Sequence, residues 1–296
     1  MPAAGGAVPT AEPLLGADLL ARLERLQVGT RRRLAGHMPA EHRSRRFGSS
    51  LDFADYREYH PGDDFRRIDY GAWARLDVLL VKLFEAEDDL TLRLLIDTSR
   101  SMAGPKLRQA IRLAAALGFV GLVRRDAVTV HTFPLDRPAP RFLGRSATVH
   151  LFAHLASLEA EGETEFAAAT SHLLARLGPR GLTVVLSDLL TPEWDAGLER
   201  LPARGDEVAV VHVLDPDELQ PTLSGDLDLV DRETGASVSV SLAADVVARY
   251  ERETAAWLDR VEHRARRAGA AYLRVLSTDA IEPLLLGGWR RAGVLR

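Results

Sequence analysis

The sequence of 296 residues contains no cysteine. Disulfide bonds, thiolate metal ligands and a cysteine nucleophile are therefore excluded. A site of hard oxygen ligands is then the metal chemistry that the composition best supports. The hydrophobic content of 46% allows a chain of this length to bury a large core, so we expect one compact domain with an extension.

Export and membrane signals are also missing. Residues 1–15 have neither the basic start nor the long apolar core of a signal peptide. The longest uncharged apolar stretch near a helix, residues 113–123, is well short of the ~20 residues that cross a bilayer. We therefore expect a cytoplasmic protein without a membrane span.

Motifs of the common enzyme classes do not occur. No Gly-x-Gly-x-x-Gly follows a strand, and no phosphate-binding loop, His-Glu-x-x-His or Gly-x-Ser-x-Gly is found. We therefore predict no catalytic residue. A Mg²⁺-dependent hydrolase of phosphorylated substrates stays as the alternative, although it would need a base or nucleophile that the sequence does not identify.

Lysine is scarce, with Lys82 and Lys106 as its two occurrences, and the net charge is −4. Arginines concentrate in residues 22–46, which raises the alternative of a basic arm for nucleic acid or anionic lipid. No aromatic residue is interleaved there to stack on bases. We favour a solvated helix face and a linker, and we do not expect nucleic acid to be the partner.

The chain divides into three regions by pattern. Residues 1–16 are rich in Ala, Gly and Pro and are predicted to be disordered. Residues 17–88 begin with an amphipathic helix, capped by Asp18 and ending near Gly36, and continue into a charged segment that we interpret as a loop up to residue 71. Residues 89–296 form the main domain.

Strands and helices alternate through most of the chain after residue 72. The predicted strands are 78–84, 90–96, 127–133, 182–186, 207–214 and 271–276, and the predicted helices are 106–124, 146–158, 165–177 and 250–268. This order predicts an α/β fold with a doubly wound, mostly parallel sheet of the Rossmann-like kind. The first two of these strands are expected to be neighbours.

Residues 215–245 break the alternation and predict a hairpin with its turn at Thr234-Gly235. We expect it to pair with the strand at 78–84 and form a small β annex beside the sheet. The annex is either a docking surface for a partner or a surface loop without a binding role, and the sequence does not decide between them.

Polar oxygens follow two of the apolar strands. The run that ends on Asp97 is followed by Ser99 and Ser101, and a second run ends on Asp188. Thr164 offers a further hydroxyl in a loop between them. Carboxylates and hydroxyls at the carboxyl edge of a parallel sheet are the donors that Mg²⁺ or Mn²⁺ prefers. These five residues are the predicted metal site.

This pattern resembles the metal-ion-dependent adhesion site of the von Willebrand factor A domain family, Asp-x-Ser-x-Ser followed by Thr and Asp. The resemblance implies that Ser99, Ser101 and Thr164 bind the metal directly, while Asp97 and Asp188 hold it mainly through water. It also implies a coordination position left open for an acidic side chain of a protein partner.

A second resemblance comes from residues 52–69, with Ala74-Arg75 and Val81-Lys82. Together they look like the signature of the bacterial family catalogued as domain of unknown function 58, with Tyr70 in place of its usual tryptophan. Members commonly accompany MoxR-type AAA+ ATPases, so the resemblance implies a non-catalytic adaptor or partner of such an ATPase in protein remodelling or activation.

The signature segment combines aromatic and charged side chains. They are Tyr56, Arg57, Tyr59, Asp63, Asp64, Arg66, Arg67, Asp69 and Arg75. We predict a network of hydrogen bonds and ion pairs that fixes this segment. The alternative is a docking surface for the ATPase or its client.

Overall fold

The computed structural model describes residues 13–28, 51–60, 63, 65, 68–86, 90–134, 138–176, 181–223 and 225–288. Most of the segment predicted to be disordered and most of the arginine-rich stretch lie outside these residues. The prediction that the first helix is capped by Asp18 and ends near Gly36 is wrong, because the helix is preceded by Gly16 and ends at Leu23. The described chain forms two compact units. One contains residues 13–28 and 90–288, and the other contains those between 51 and 86.

The secondary structure follows the alternating pattern. The strands are β1 (Leu51–Glu58), β2 (Leu80–Ala86), β3 (Thr91–Asp97), β4 (Ala127–Phe133), β5 (Arg141–Phe142), β6 (Gly181–Ser187), β7 (Glu207–Leu214), β8 (Gly225–Val230), β9 (Ser237–Leu242) and β10 (Ala271–Leu276). The α-helices are α1 (Ala17–Leu23), α2 (Tyr70–Leu76), α3 (Pro105–Val123), α4 (Thr148–Ala156), α5 (Phe166–Arg176), α6 (Trp194–Arg200), α7 (Pro216–Leu219), α8 (Ala244–Arg267) and α9 (Ile281–Pro283).

A six-stranded sheet in the order β10-β7-β6-β3-β4-β5 forms the centre of the larger unit. All neighbours are parallel except β5, which pairs antiparallel with β4 at the edge. Strands β3 and β6 are buried along their whole length because they are central and covered on both faces. The predicted mixed α/β fold with a mostly parallel sheet is confirmed.

Helices cover both faces of this sheet. Leu92, Leu94 and Ile96 of β3 belong to the core that includes α1, α3 and α4. Leu95 points to the other face, into the core formed with α5, α6 and α8. Successive residues of a strand face opposite sides, so one apolar strand supplies both cores.

Strand order reverses between β3 and β6. The chain leaves β3 through α3 on one face, whereas it leaves the adjacent β6 through α6 on the other. At such a reversal the connections diverge and open a crevice beyond the carboxyl ends of the strands, which is where sheets of this kind bind ligands.

The amino edge of the sheet is closed by a buried ion pair. Arg93 Nη1 lies 3.1 Å from Asp206 Oδ1, with 3% and 2% of the two side chains exposed. The same Oδ1 accepts a hydrogen bond from the Gly181 backbone N–H at 2.8 Å. The pair therefore ties together β3 and the starts of β6 and β7.

In the smaller unit, β1 and β2 form an antiparallel pair, and Asp69 caps α2 by accepting from the N–H groups of Gly71 and Ala72. The expectation that the strand at 78–84 adjoins β3 is wrong, because β2 pairs with β1 whereas β3 lies between β4 and β6. The interpretation of the signature segment as a loop is also wrong over β1. This strand contains several charged residues and lacks the continuous apolar run by which the central strands were predicted.

The predicted hairpin is present as β8 and β9, an antiparallel two-stranded sheet of its own. Its pairing with the strand at 78–84 is wrong, since that strand already has β1 as its partner. Gly235 has a φ of 72°, a conformation that favours glycine, at the turn between the two strands. We call residues 231–236 the hairpin tip.

Candidate metal centre

Asp97 ends β3 as a completely buried carboxyl group. Its Oδ1 accepts a hydrogen bond from the backbone N–H of Ser99 at 2.9 Å. Its Oδ2 accepts one from the hydroxyl of Ser187, the last residue of β6, at 2.6 Å. The side chain is thus fixed between two neighbouring strands before any ligand arrives.

The serines of the Asp-x-Ser-x-Ser pattern lie together. Ser99 Oγ is 3.0 Å from Ser101 Oγ. A 3₁₀ turn at Arg100–Met102 brings Ser101 back towards Ser99, and the buried Met102 side chain anchors that turn in the core. Adjacent ligands of octahedral Mg²⁺, each ~2.1 Å from the ion, lie about 3.0 Å apart. The two hydroxyls therefore have a spacing suited to neighbouring ligand positions.

Asp188 follows β6 and is completely buried beside a lysine that sequence reasoning did not include. Lys106 Nζ lies 2.7 Å from Asp188 Oδ2 and also pairs with Glu218. Burial alone would lower the pKa of Lys106, but the charges of Asp188 and Glu218 more than offset it, so the pKa is raised. Lys106 is therefore a fixed cation at this edge.

The remaining polar atoms of Asp188 are also held. Its Oδ1 accepts the Leu190 backbone N–H at 3.0 Å. Its carbonyl oxygen lies 2.8 Å from His212 Nε2, and His212 Nδ1 lies 2.8 Å from the Tyr272 hydroxyl. Burial lowers the pKa of His212 to about 4, so the ring is neutral at pH 7. A carbonyl can only accept, so Nε2 donates to it and Nδ1 accepts from Tyr272.

Thr164 lies in the loop before α5, joined to the loops that carry the other predicted ligands. Its carbonyl oxygen accepts from the Thr191 hydroxyl at 3.4 Å, in the segment after Asp188. In the same loop the Gly162 carbonyl accepts from the Arg100 N–H at 3.1 Å. All five predicted site residues therefore lie at the carboxyl edge of the sheet.

Glu233, in the hairpin tip, is a second residue that sequence reasoning missed. The Thr164 hydroxyl donates to Glu233 Oε1 at 2.7 Å, and the Thr164 backbone N–H donates to Oε2 at 3.1 Å. The sequence offered no signal for this contact, because the two residues are 69 positions apart and the hairpin resembled a surface decoration.

Negative charge accumulates at this edge. Burial, and then the charge of Asp188, raise the pKa of Asp97 to about 7. Among the described residues, the buried cation of this edge is Lys106, which pairs with Asp188 and Glu218, and Arg100 contributes an exposed cation at the hairpin tip. A divalent cation would offset this excess.

Within the described chain, no three His, Cys, Asp or Glu side chains are grouped as a metal site. Hydroxyl oxygens beside the carboxylates could complete a site at the carboxyl edge. Ser99, Ser101 and Thr164 supply hydroxyls at this edge, and oxygen donors of this kind suit Mg²⁺ or Mn²⁺. The residues present fit such an ion.

The signature segment forms a polar network in the smaller unit. The Tyr56 hydroxyl donates to Asp69 Oδ2 at 2.6 Å. Arg57 Nη2 lies 2.8 Å from Asp63 Oδ1. Hydrogen bonds from the His60 backbone N–H and from Arg57 lower the pKa of Asp63. Three residues predicted for this network, Asp64, Arg66 and Arg67, lie outside the described residues.

The family model described as "Protein of unknown function DUF58" matches residues 55–277. The chain belongs to this family. The match spans most of the smaller unit and all six strands of the main sheet, so it includes most of the signature segment and the candidate metal centre.

Mycobacterial proteins have sequences similar to this chain. The uncharacterized protein Rv1480 of Mycobacterium tuberculosis and the uncharacterized protein Mb1516 of Mycobacterium bovis are each 29% identical over 273 residues, covering 88% of this chain and 85% of their own. The uncharacterized protein MAV169 of Mycobacterium avium is 35% identical over 101 residues, covering 34% of this chain and 59% of its own.

Solved structures of lower similarity also match. The conserved hypothetical protein BatB from Bacteroides thetaiotaomicron is 18% identical, with a TM-score of 0.44, over 69% of this chain and 98% of its own. An aerotolerance-related membrane protein from Bacteroides fragilis is 19% identical, with a TM-score of 0.45, over the same shares. In the described part of this chain, no helix has the length and apolar character needed to cross a membrane.

Proposed function

We propose that this chain is a metal-dependent protein-interaction module of the von Willebrand factor A type. Ser99, Ser101 and Thr164 would hold Mg²⁺ or Mn²⁺ directly, and Asp97 and Asp188 would act mainly through water. The observation that carries the proposal is the 3.0 Å separation of the Ser99 and Ser101 hydroxyl oxygens beside the buried Asp97 carboxylate.

The two aspartates have contacts that suit an indirect role. Both Asp97 oxygens already accept hydrogen bonds from Ser99 N–H and Ser187, and both Asp188 oxygens are engaged by Lys106 and Leu190. Groups held in this way orient the direct ligands and set the charge around them. When bound, the ion supplies a concentrated positive charge with a position for one more carboxylate.

A partner would present an acidic side chain to that position. The resemblance to the domain of unknown function 58 family makes a MoxR-type AAA+ ATPase, or its client, the proposed partner. A shallow apolar depression lined by Leu190, Trp194 and Trp257 adjoins the segment after Asp188. It would receive an apolar side chain near the acidic one, so that charge and apolar contact act together.

Thermal unfolding in EDTA, Mg²⁺ or Mn²⁺ tests the proposal. A ligand that binds only the folded state stabilises it by about 2.7 kcal/mol at 100 times its Kd. We expect Mg²⁺ or Mn²⁺ to raise the Tm of the wild type and not that of Asp97→Asn, which retains the side-chain shape but loses the charge. An equal rise in both proteins, or none in the wild type, would contradict the proposal.

A pull-down with the MoxR-type ATPase tests the partner. Retention that requires Mg²⁺ and is lost in Thr164→Val is the expected result. The same preparation should be assayed for hydrolysis of generic phosphoesters. Metal-dependent turnover that Asp188→Ala abolishes would indicate a hydrolase instead of an interaction module.

A further inference from the structure

The hairpin tip places an acidic side chain of this chain at the candidate metal centre. We infer that Glu233 is a ligand of the metal site in cis, occupying the position that an acidic side chain of a partner would take. The inference rests on the proposed function, since it assumes that a divalent cation binds between the serines and Thr164.

The contact between Glu233 and Thr164 uses both carboxylate oxygens. Oε1 accepts the Thr164 hydroxyl at 2.7 Å and Oε2 accepts the Thr164 backbone N–H at 3.1 Å. A separation of 2.7 Å is close to the ~2.8–3.0 Å edge of an octahedron of oxygens ~2.0–2.1 Å from Mg²⁺. Glu233 Oε1 and Thr164 Oγ1 therefore have the spacing of two neighbouring ligands, as the two serine hydroxyls do.

The hairpin tip is arranged to present this carboxylate. Asp231 Oδ1 accepts the backbone N–H groups of Glu233 at 2.7 Å and Thr234 at 3.0 Å. The Asp231 N–H donates to the Ala236 carbonyl at 2.8 Å, which closes the turn around Gly235. These bonds fix the backbone of Glu233, so its side chain needs little further ordering to act as a ligand.

Contacts with the loop after β3 fix the tip over the site. Arg100, between the two site serines, donates from Nη1 to the Glu233 carbonyl at 2.9 Å. Arg232 Nη1 lies 3.5 Å from the Ala103 carbonyl. The tip is therefore bonded to both loops that carry proposed direct ligands, that of Thr164 and that of Ser99 and Ser101.

Apart from these contacts of the tip, the hairpin buries little apolar surface. Most of β8 and β9 is exposed, and Val230 and Val238 are 63% and 61% exposed, so little apolar surface holds the strands down. Segments with few buried apolar contacts open locally most readily. A partner carboxylate would then compete with Glu233, which is always present at a high effective concentration because it belongs to the same chain.

Charge also favours a cation beneath Glu233. The site already contains Asp97 and Asp188, and a further carboxylate at the same edge would repel them. Lys106 is committed to Asp188 and Glu218. A divalent ion between Thr164 and the serines would turn this repulsion into attraction, and it would link the position of the hairpin to metal binding.

The test uses Mn²⁺ as the probe on the full chain, with wild type, Glu233→Gln and Asp226→Asn. Asp226 is an exposed acid at the base of the same hairpin, so its variant matches the change in charge. Water-proton relaxation counts the waters on bound Mn²⁺, and hydrogen exchange of residues 231–236 reports whether the tip is held.

We expect Mn²⁺ to slow amide exchange in the tip about tenfold in the wild type and in Asp226→Asn. In Glu233→Gln we expect no slowing and about one more water on the bound Mn²⁺, because a carboxylate ligand has been lost. Equal water counts and equal exchange in Glu233→Gln and wild type, with Mn²⁺ bound to both, would overturn the inference and leave the proposed function intact. Failure of Mn²⁺ to bind the wild type would overturn both.

Discussion

The two edges of the central sheet arrange their buried charges differently. At the amino edge, Arg93 and Asp206 form a cation–carboxylate pair that is almost completely buried, and Asp126 is a further buried carboxyl group there. At the carboxyl edge, Asp97 and Asp188 are both completely buried, and Lys106, the buried cation of that edge among the described residues, pairs with Asp188.

The Arg93–Asp206 pair has the character of a structural ion pair, whereas the buried aspartates of the carboxyl edge have that of a cation-binding site. A balanced pair needs no further ion and fixes the geometry of the strands that it joins. An excess of buried carboxylate is tolerated only when something else compensates it, by protonation or by a bound cation. Burial, and then the charge of Asp188, raise the pKa of Asp97, so proton uptake or a bound cation can each offset the charge at the carboxyl edge.

The largest expected effect comes from breaking the amino-edge pair. Arg93→Met leaves the Asp206 carboxylate buried without its cation, which should lower the free energy of unfolding by about 3–5 kcal/mol. Urea unfolding in EDTA measures the loss. The response to Mg²⁺ of the protein that remains folded should be unchanged.

The double variant Arg93→Met with Asp206→Leu is the control. Replacing both charges by apolar groups should recover part of the stability, because neither charge is then left alone, although the Gly181 N–H loses its acceptor. A double variant as unstable as Arg93→Met would mean that packing around Arg93, and not its charge, is what the amino edge requires.

Removing Lys106, the buried cation of the carboxyl edge, should lower the free energy of unfolding by a smaller amount, and Mg²⁺ should restore part of the loss. Lys106→Met leaves Asp188 and Glu218 unpaired and should cost about 3 kcal/mol in EDTA. Mg²⁺ should then stabilise this variant more than it stabilises the wild type, since the ion offsets the same carboxylates. Thermal unfolding with and without Mg²⁺ shows the difference.

Lys82→Met provides the matched control, because Lys82 is the other lysine of the sequence. Its Mg²⁺ response should equal that of the wild type. If Mg²⁺ stabilised Lys106→Met no more than wild type, the view that the carboxyl edge lacks positive charge would be contradicted.

The smallest change in stability is expected for Ser101→Ala, which removes one proposed ligand and no charge. Unfolding in EDTA should change by less than about 1 kcal/mol, since Ser101 loses one hydrogen bond to Ser99. Mn²⁺ affinity, measured by calorimetry, should fall by about tenfold or more.

Ser241→Ala, at an exposed hairpin position, should leave Mn²⁺ affinity as it is in the wild type. Unchanged affinity in Ser101→Ala would remove this hydroxyl from the proposed ligand set, and the site would then have to be completed by Glu233 and Thr164.

Local sequence patterns were sufficient for the five parallel strands of the sheet, whereas the metal-binding role of the Asp-x-Ser-x-Ser loop stays a prediction. Apolar runs that end on Asp97 and Asp188 identify central strands, because a parallel strand covered on both faces is apolar throughout. The carboxyl ends of such strands meet at one edge, so the two acids could be placed together without knowing the strand order.

The contacts missed by sequence reasoning join distant positions. Lys106 is 82 positions from Asp188, and Thr164 is 69 from Glu233. Neither pair has a periodic or short-range signal, and both depend on how α3 and the hairpin are placed in three dimensions. The partner of β2 was misjudged for the same reason, since local pattern does not say which strand pairs with which.

A crystal structure of the wild type grown with Mn²⁺ and measured at the manganese absorption edge tests the central claim most directly. We expect an anomalous peak at the carboxyl edge, bonded to the hydroxyl oxygens of Ser99, Ser101 and Thr164. No peak there at saturating Mn²⁺, or a peak bound to other residues, would contradict it.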